Sequence, residues 1–249
     1  MKNHLLKEGL LKDRITAIQV TAESWSPQRV LSWAFDAFGE KVAISSAFGA
    51  EGMVLIDMAS HLRNEFRVFT VDTEFLFPET YSLIDRIEQK YSIKIERVFP
   101  IHSPEKQEEL HGAALWERDP DACCNLRKIE PLRRKLSELG AWVTSIRRDQ
   151  TSFRRSASKI EWDEKFGLVK INPIADWTSK QVWRYLVEND VPYNQLHNQN
   201  YPSIGCMQCT RAVHPGEDAR AGRWAGFAKT ECGLHVLAAD SPAQPDADA

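Results

Sequence analysis

No run of apolar residues in this 249-residue chain approaches the length of a membrane span. Charges break even the N-terminal stretch Met1-Lys2-Asn3-His4-Leu5-Leu6-Lys7-Glu8, so neither a membrane helix nor a secretion signal is expected, and the cytoplasm is the expected compartment. An excess of one charge is also missing. A net charge of −3 excludes a global attraction for nucleic acid or an anionic membrane, so any anionic ligand must be met by local basic residues. There is no internal repeat, which excludes a repeat architecture. His4, His61, His102, His111, His197 and His214 show no ligand-like spacing and read as structural or solvated. Cysteine is scarce, at five residues, and a globule of this length buries about 70–75% of its unfolded surface and needs no disulfide staples.

What is present is ordinary in bulk and informative in detail. Hydrophobic content of 43% and charged content of 27% suit one large domain, or a domain with an appendage. Residues 4–20 read as an amphipathic helix, and Ser26-Pro27 starts a second that runs to about Phe38. Strands are expected at 41–45, 67–72, 93–98 and 142–146. Helices are expected from the Gly52 region through Ala59, at 79–90 and from near Cys124 to Leu139. A hairpin is expected over 160–172 and a helix at 178–188. Strands alternating with helices imply a doubly wound, mostly parallel α/β sheet with flanking helices. Periodicity fades beyond Pro202, and 239–249 reads as a disordered acidic tail.

Four of the five cysteines fall in two tight clusters, Cys123-Cys124 and Cys206-Met207-Gln208-Cys209. Clustered thiols without a secretion signal point to a metal centre before disulfides. Adjacent cysteines would close a strained ring, so Cys123 does not pair with Cys124. Spacing alone fits zinc and an iron–sulfur cluster equally. Lys128 and Arg127 lie within a turn of Cys124, either offsetting thiolate charge or facing solvent. Cys232 stands apart in Lys229-Thr230-Glu231-Cys232-Gly233-Leu234-His235, among groups that favour a reactive thiolate, although a structural role remains open at this point.

Three further segments suit an anionic nucleotide. The turn Ser46-Ala47-Phe48-Gly49-Ala50-Glu51-Gly52 after the first strand offers hydroxyls and backbone N–H groups to phosphate or sulfate oxygens, or is an ordinary tight turn. It lacks the glycine spacing of a P-loop and of a dinucleotide site. Asp72-Thr73-Glu74 closes the second strand, where it holds a ribose or base edge or caps a helix. Arg147-Arg148 and Arg154-Arg155, with Arg220 and Arg223 downstream, read as bidentate anion clamps or as surface salt bridges.

Together these pieces resemble the assimilatory adenylylsulfate reductases, the iron–sulfur branch of the phosphoadenylylsulfate/adenylylsulfate reductase family. The resemblance spans roughly residues 30–235. It rests on the Ser45–Gly52 turn, Asp72-Thr73 with Leu76-Phe77-Pro78-Glu79-Thr80, the Cys-Cys and Cys-x-x-Cys pairs, Arg147-Arg148, and Lys-Thr-Glu-Cys-Gly-Leu-His at 229–235. The turn departs from some relatives at Ala47 and Gly52. The resemblance implies an adenine nucleotide α-hydrolase-like fold in which Cys123, Cys124, Cys206 and Cys209 hold a 4Fe–4S cluster. It implies that Lys128 mediates charge between cluster and substrate. Ser45, Ser46, Phe48, Gly49, Ala50, Glu51, Asp72, Thr73 and Arg147 would hold the nucleotide. Arg220 and Arg223 would lie on the sulfate side, with His235 also in the substrate site.

The implied chemistry is attack of Cys232 on adenosine 5′-phosphosulfate, loss of AMP, and release of sulfite by an external thioredoxin or glutaredoxin-like dithiol. The 3′-phosphorylated nucleotide is the alternative substrate, and an ATP-pyrophosphatase-type transferase or a zinc-stabilised binding module are the readings from other classes. The expected division is a helical extension at 1–38, a nucleotide-binding and cluster domain at 39–209, a catalytic segment at 210–238 and the tail. A homo-oligomer is left open; nucleic acid and membrane are not expected partners.

Overall fold

The computed structural model describes residues 2–229, 231 and 233, with the backbone alone for 2–8 and 10. In chain order the elements are α1 (Lys2–Ala22), α2 (Pro27–Phe38), β1 (Val42–Ser45), α3 (Ala50–Leu62), β2 (Val68–Val71), α4 (Pro78–Tyr91) and β3 (Ile95–Val98). Then come α5 (Pro104–His111), α6 (Leu115–Arg118), α7 (Pro120–Cys124), α8 (Glu130–Leu136), β4 (Ala141–Val143), β5 (Ile160–Asp163), β6 (Leu168–Ile171) and α9 (Ser179–Glu188). The helix starts are written in the sequence. Ser26 and Ser103 accept from the backbone N–H three residues on, each with proline at the first helical position. Thr178 and Gln181 form a reciprocal capping box at the start of α9.

The sheet order is β3-β2-β1-β4-β6-β5, with every pairing parallel except β5 against β6. Side chains of alternate strand residues enter two cores, as a parallel sheet covered on both faces requires. Ile44, Val68, Val143 and Val169 face the larger core with α2 and α3, whereas Ala43, Phe69 and Trp142 face Leu132 and Leu136 of α8. The expected N-terminal extension is part of this packing. Ile15 and Ala22 of α1 and Val30, Leu31 and Ala34 of α2 are buried in the larger core, and α1 lies against β5.

The chain leaves β1 for β2 and β3 on one side, then crosses to β4 and β6 on the other. The carboxyl ends of β1 and β4 therefore flank a topological switch point, where open α/β sheets bind ligands. The continuous helix expected from Cys124 to Leu139 needs correction. α7 ends at Cys124, a π turn spans Asn125–Ile129, and α8 follows. Pro131 supplies the reason: it has no N–H for the carbonyl of Arg127 and its ring crowds that carbonyl, so the turn widens. Among the described residues no helix is long and apolar enough to cross a membrane.

Candidate functional site

A cavity of about 760 Å³ opens at the switch point, and most of the sequence-predicted residues line it. Ser45, Ser46, Gly49, Ala50 and Glu51 come from the β1–α3 turn, and Thr73 from the end of β2. Lys128 comes from the π turn, Arg147 from the loop after β4, and Cys206, Arg220 and Arg223 from the C-terminal third. A larger groove of about 1130 Å³ lies at the opposite ends of the strands, around Val42, Val68 and Ile95, and contains none of the predicted residues.

The β1–α3 turn is built around Ser46. Its Oγ accepts from the N–H of Phe48 at 3.0 Å, and a Cβ at Gly52 would overlap that same oxygen. The turn drives Phe48 to φ 57° and buries its ring completely in the larger core. The Phe48 side chain, expected among the binding groups, thus anchors the turn and does not line the cavity. Asp72 is also set back. It is buried, takes a hydrogen bond from the Tyr81 hydroxyl at 2.8 Å and one from the N–H of Glu74 at 2.9 Å, and so shapes the turn after β2.

The paired arginines separate. Arg147 is buried on the cavity wall, where its Nε donates to Glu51 at 3.1 Å and its guanidinium also pairs with Asp149. Arg148 turns away, donating to the Ala157 carbonyl and to Glu23, and Arg155 is exposed. Arg154 joins the cavity instead. On the facing wall Arg220 and Arg223 both donate to Ser203 Oγ, at 3.4 and 3.3 Å. Gly205 makes room for this, since a Cβ there would overlap the Arg223 guanidinium.

The four clustered cysteines converge beside this cavity. Each carries a free thiol; Cys123, Cys124 and Cys206 are buried and Cys209 is half-buried. Cys206 pairs across an isolated bridge with Leu76, the Met207 N–H donates to the Phe75 carbonyl, and Thr73 Oγ1 lies 3.3 Å from Cys206 Sγ. These contacts fasten the second cysteine pair to the end of β2. Burial pushes the Cys123 thiol up to about 11, helped by Cys124 and Cys206, and pushes Cys209 up to about 12, helped by Cys206. Cys206 goes the other way. Burial opposes its ionisation, but the charge of Lys128, the Thr73 contact and Arg223 together hold it below the ordinary thiol range. Among the described residues no three His, Cys, Asp or Glu side chains stand at the spacing of a single bound ion.

Two residues carry more of this architecture than their sequence context signals. Arg127, read above with Lys128 as a charge partner of the thiols or a solvated face, is almost fully buried. It donates to the Thr73 carbonyl at 2.7 Å, the His102 carbonyl at 3.3 Å, Gln107 Oε1 at 3.2 Å and Glu74 at 2.5 Å, with its Cζ 4.6 Å from the centre of the Phe75 ring. It clamps the end of β2 to the cysteine-bearing turn. Trp224, buried with φ 47°, has Lys128, Arg223 and Lys229 around its ring at 5.9, 4.5 and 5.3 Å. Cys232 and His235 lie outside the described residues, as does the 239–249 tail. Their neighbour Glu231 is described, and its carboxylate is buried against Arg154 and Arg220 of the cavity wall.

Comparison with known proteins agrees with this geometry. The phosphoadenosine phosphosulfate reductase domain matches residues 41–212. An adenosine 5′-phosphosulfate reductase of Halalkalibacterium halodurans is 47% identical over 207 residues, 83% of this chain and 90% of that protein. A phosphoadenosine 5′-phosphosulfate reductase of Gloeobacter violaceus is 43% identical over 227 residues, covering 89% and 94%. The crystal structure of a phosphoadenylyl-sulfate reductase from Candida auris, in complex with phosphate, superposes with a TM-score of 0.71 at 33% identity, covering 81% of this chain and 97% of that one. The match takes in the serine turn and most of the residues that line the switch-point cavity, and the chain belongs to the phosphoadenosine phosphosulfate reductase family.

Proposed function

We propose that this protein reduces adenosine 5′-phosphosulfate to sulfite and AMP, using an external dithiol and a sulfonated Cys232. The observation that carries this reading is one cavity bringing together the serine turn, Lys128, four arginines and the docked neighbour of Cys232. The turn supplies backbone N–H groups at the start of the 13-residue α3 to the nucleotide phosphate. Arg220 and Arg223, held side by side on Ser203, face the sulfuryl oxygens, where charge accumulates as the bond to AMP breaks.

In the first step the Cys232 thiolate forms a bond to the substrate sulfur, and the sulfur–oxygen bond to AMP breaks with its electron pair. In the second, a thiolate of a thioredoxin or glutaredoxin-like dithiol bonds to Cys232 Sγ and sulfite leaves with the electron pair of the S–S bond. The dithiol's second thiol then resolves the mixed disulfide, so the dithiol is oxidised and the substrate gains two electrons. Cys123, Cys124, Cys206 and Cys209 are committed elsewhere, which is why the dithiol is external. His235 is assigned to the substrate site with Cys232, and Ser45, Ser46, Gly49, Ala50, Glu51, Thr73 and Arg147 to the nucleotide side.

The donor set suits a 4Fe–4S cluster: four free thiols, within electrostatic reach of one another, clustered beside a lysine. Such a cluster, when bound, supplies a fixed array of charge beside the substrate. Lys128 lines both the thiol group and the cavity, so it couples the two through its charge. Four reduced thiols also suit a reducing compartment such as the cytoplasm. A second reading, turnover of the 3′-phosphorylated nucleotide, is favoured by the names of the Gloeobacter violaceus and Candida auris relatives. Sulfite release from each nucleotide, at equal concentration with thioredoxin present, tests the two. Faster release from adenosine 5′-phosphosulfate is expected; the reverse order would establish the second reading, and no release from either would overturn both.

A further inference from the structure

Glu231 is a carboxylate in an unexpected place. Its side chain is 5% exposed, and that of Arg154 opposite it is 9% exposed. Arg154 grips it as a fork, Nε to Oε1 at 3.0 Å and the terminal nitrogen to Oε2 at 2.8 Å. Thr151 Oγ1 adds a hydrogen bond to Oε1 at 2.9 Å, and Arg220 reaches Oε2 at 3.4 Å. Arg154 is itself fixed to the cavity wall. It donates to Gln150 Oε1 at 2.6 Å, and Gln150 donates onward to Glu51 of α3 at 3.0 Å. Two residues further on, the Gly233 carbonyl accepts from Lys165 of the β5–β6 hairpin at 2.6 Å. The chain is therefore held on either side of position 232 by groups that belong to the rigid α/β body. Burying a carboxylate and a guanidinium together loses the hydration of both, and a random surface contact does not recover that loss. A forked pair with a third and fourth donor does.

We propose that Glu231 is a positioning residue: its buried fork on Arg154 docks the stretch that bears Cys232 against the cavity, setting the rate of the sulfonation step without binding the nucleotide. This rests on the function proposed above. Misplacing a reacting group by about 1 Å costs roughly 100-fold in rate, so loss of the anchor should cost about 10- to 100-fold.

The test compares Glu231→Gln, Glu231→Asp, Arg154→Gln and the double variant Arg154→Gln/Glu231→Gln with the wild type. Three quantities are measured: AMP affinity by calorimetry, the single-turnover rate of SO₃ addition to Cys232, and alkylation of Cys232 by iodoacetamide without nucleotide. Glu231→Gln should bind AMP within about twofold of wild type, sulfonate 10- to 100-fold more slowly, and change its alkylation rate severalfold. Glu231→Asp, which keeps the charge on a shorter arm, should fall between. The double variant should be no slower than Arg154→Gln alone, since both changes break one contact. A wild-type sulfonation rate in Glu231→Gln, losses that multiply in the double variant, or a loss of AMP affinity matching the loss of rate would each overturn the proposal. Alkylation needs no substrate and separates the two readings. If wild type forms no adduct the function fails, while an alkylation rate unmoved by Glu231→Gln overturns the anchor whatever the function.

Discussion

Replacing Arg127 by methionine keeps an unbranched side chain of similar reach and removes the guanidinium. Arg127 is 2% exposed at its side chain and makes four hydrogen bonds that join the end of β2, the segment preceding α5, α5 itself and the cysteine-bearing turn. The change leaves the Thr73 carbonyl and Gln107 Oε1 without this donor in a buried setting, and strips Glu74, one-third exposed, of its ion pair. Each stranded buried acceptor costs about 1–3 kcal/mol. Breaking a buried pair by removing one partner costs about 3–5 kcal/mol in total. Because that second range already contains the stranded acceptors, 3–5 kcal/mol is the figure for the whole substitution. For a domain of this size each kcal/mol lowers the melting temperature by about 2–4 °C, so a fall of about 6–20 °C is expected. Thermal unfolding of both proteins, at matched metal content, measures it. Arg127→Lys should recover less than half of the loss, because an ammonium cannot fork between Thr73, Gln107 and Glu74. A methionine variant within about 1 kcal/mol of wild type would refute the clamp.

Other outcomes follow from the same structure. Cys209→Ser removes one of four converging thiols and should abolish brown absorbance and acid-labile sulfide in anaerobically purified protein; full iron content would remove this residue from the ligand set. Gly205→Ala puts a methyl where the flexible end of Arg223 lies, so the melting temperature should hold while affinity for adenosine 5′-phosphosulfate drops about 10- to 100-fold, the worth of one charge-assisted contact. His197 carries its proton on Nδ1, because Nδ1 lies 2.8 Å from the Tyr201 carbonyl, which can only accept; Nε2 is buried with no hydrogen-bond partner among the described residues. Burial holds its pKa below the ordinary 6.5, so the unfolded chain binds the second, ring-charging proton more readily than the native protein. Its contribution is complete above the unfolded pKa and is lost as pH falls from there through the folded value; urea unfolding from pH 8 to 5 should show that loss, and His197→Gln should flatten it.

The parallel strands were legible because a sheet covered on both faces writes short apolar runs, such as Val42-Ala43-Ile44 and Val68-Phe69, between turn residues. The helix starts were legible through Ser26-Pro27 and Thr178. α5 and α6 escaped because Pro104-Glu-Lys-Gln-Glu-Glu-Leu-His is nearly all polar, its one fully buried side chain being Gln107. Pro131 marked the π turn, but a proline near a helix start reads equally as an ordinary first turn. At the site, the cysteine pairs announce themselves by spacing, whereas the serine turn, with no P-loop or dinucleotide glycine pattern, stood out only together with the other motifs of the resemblance. Arg127 and Lys128 are adjacent cations in sequence, and only the π turn sends one into the clamp and the other to the cavity. Phe48 and Asp72 sit inside recognisable motifs yet face inward, a direction that depends on the positive φ at Phe48 and on the Tyr81 hydroxyl. Glu231 could not be singled out, because its partners Arg154 and Arg220 are brought to it by two separate loops.

The central claim is that Cys232 carries the sulfur between nucleotide and reductant. Wild-type protein incubated with adenosine 5′-phosphosulfate and no reductant, then digested and weighed peptide by peptide, tests it most directly. The peptide containing Cys232 should gain the mass of one SO₃ group in a one-to-one ratio with released AMP, and thioredoxin should remove that group as sulfite. Cys232→Ser should bind AMP normally and gain nothing, since a hydroxyl without a strong base stays protonated. An adduct on Cys123, Cys124, Cys206 or Cys209, or sulfite production by Cys232→Ser, would contradict the account.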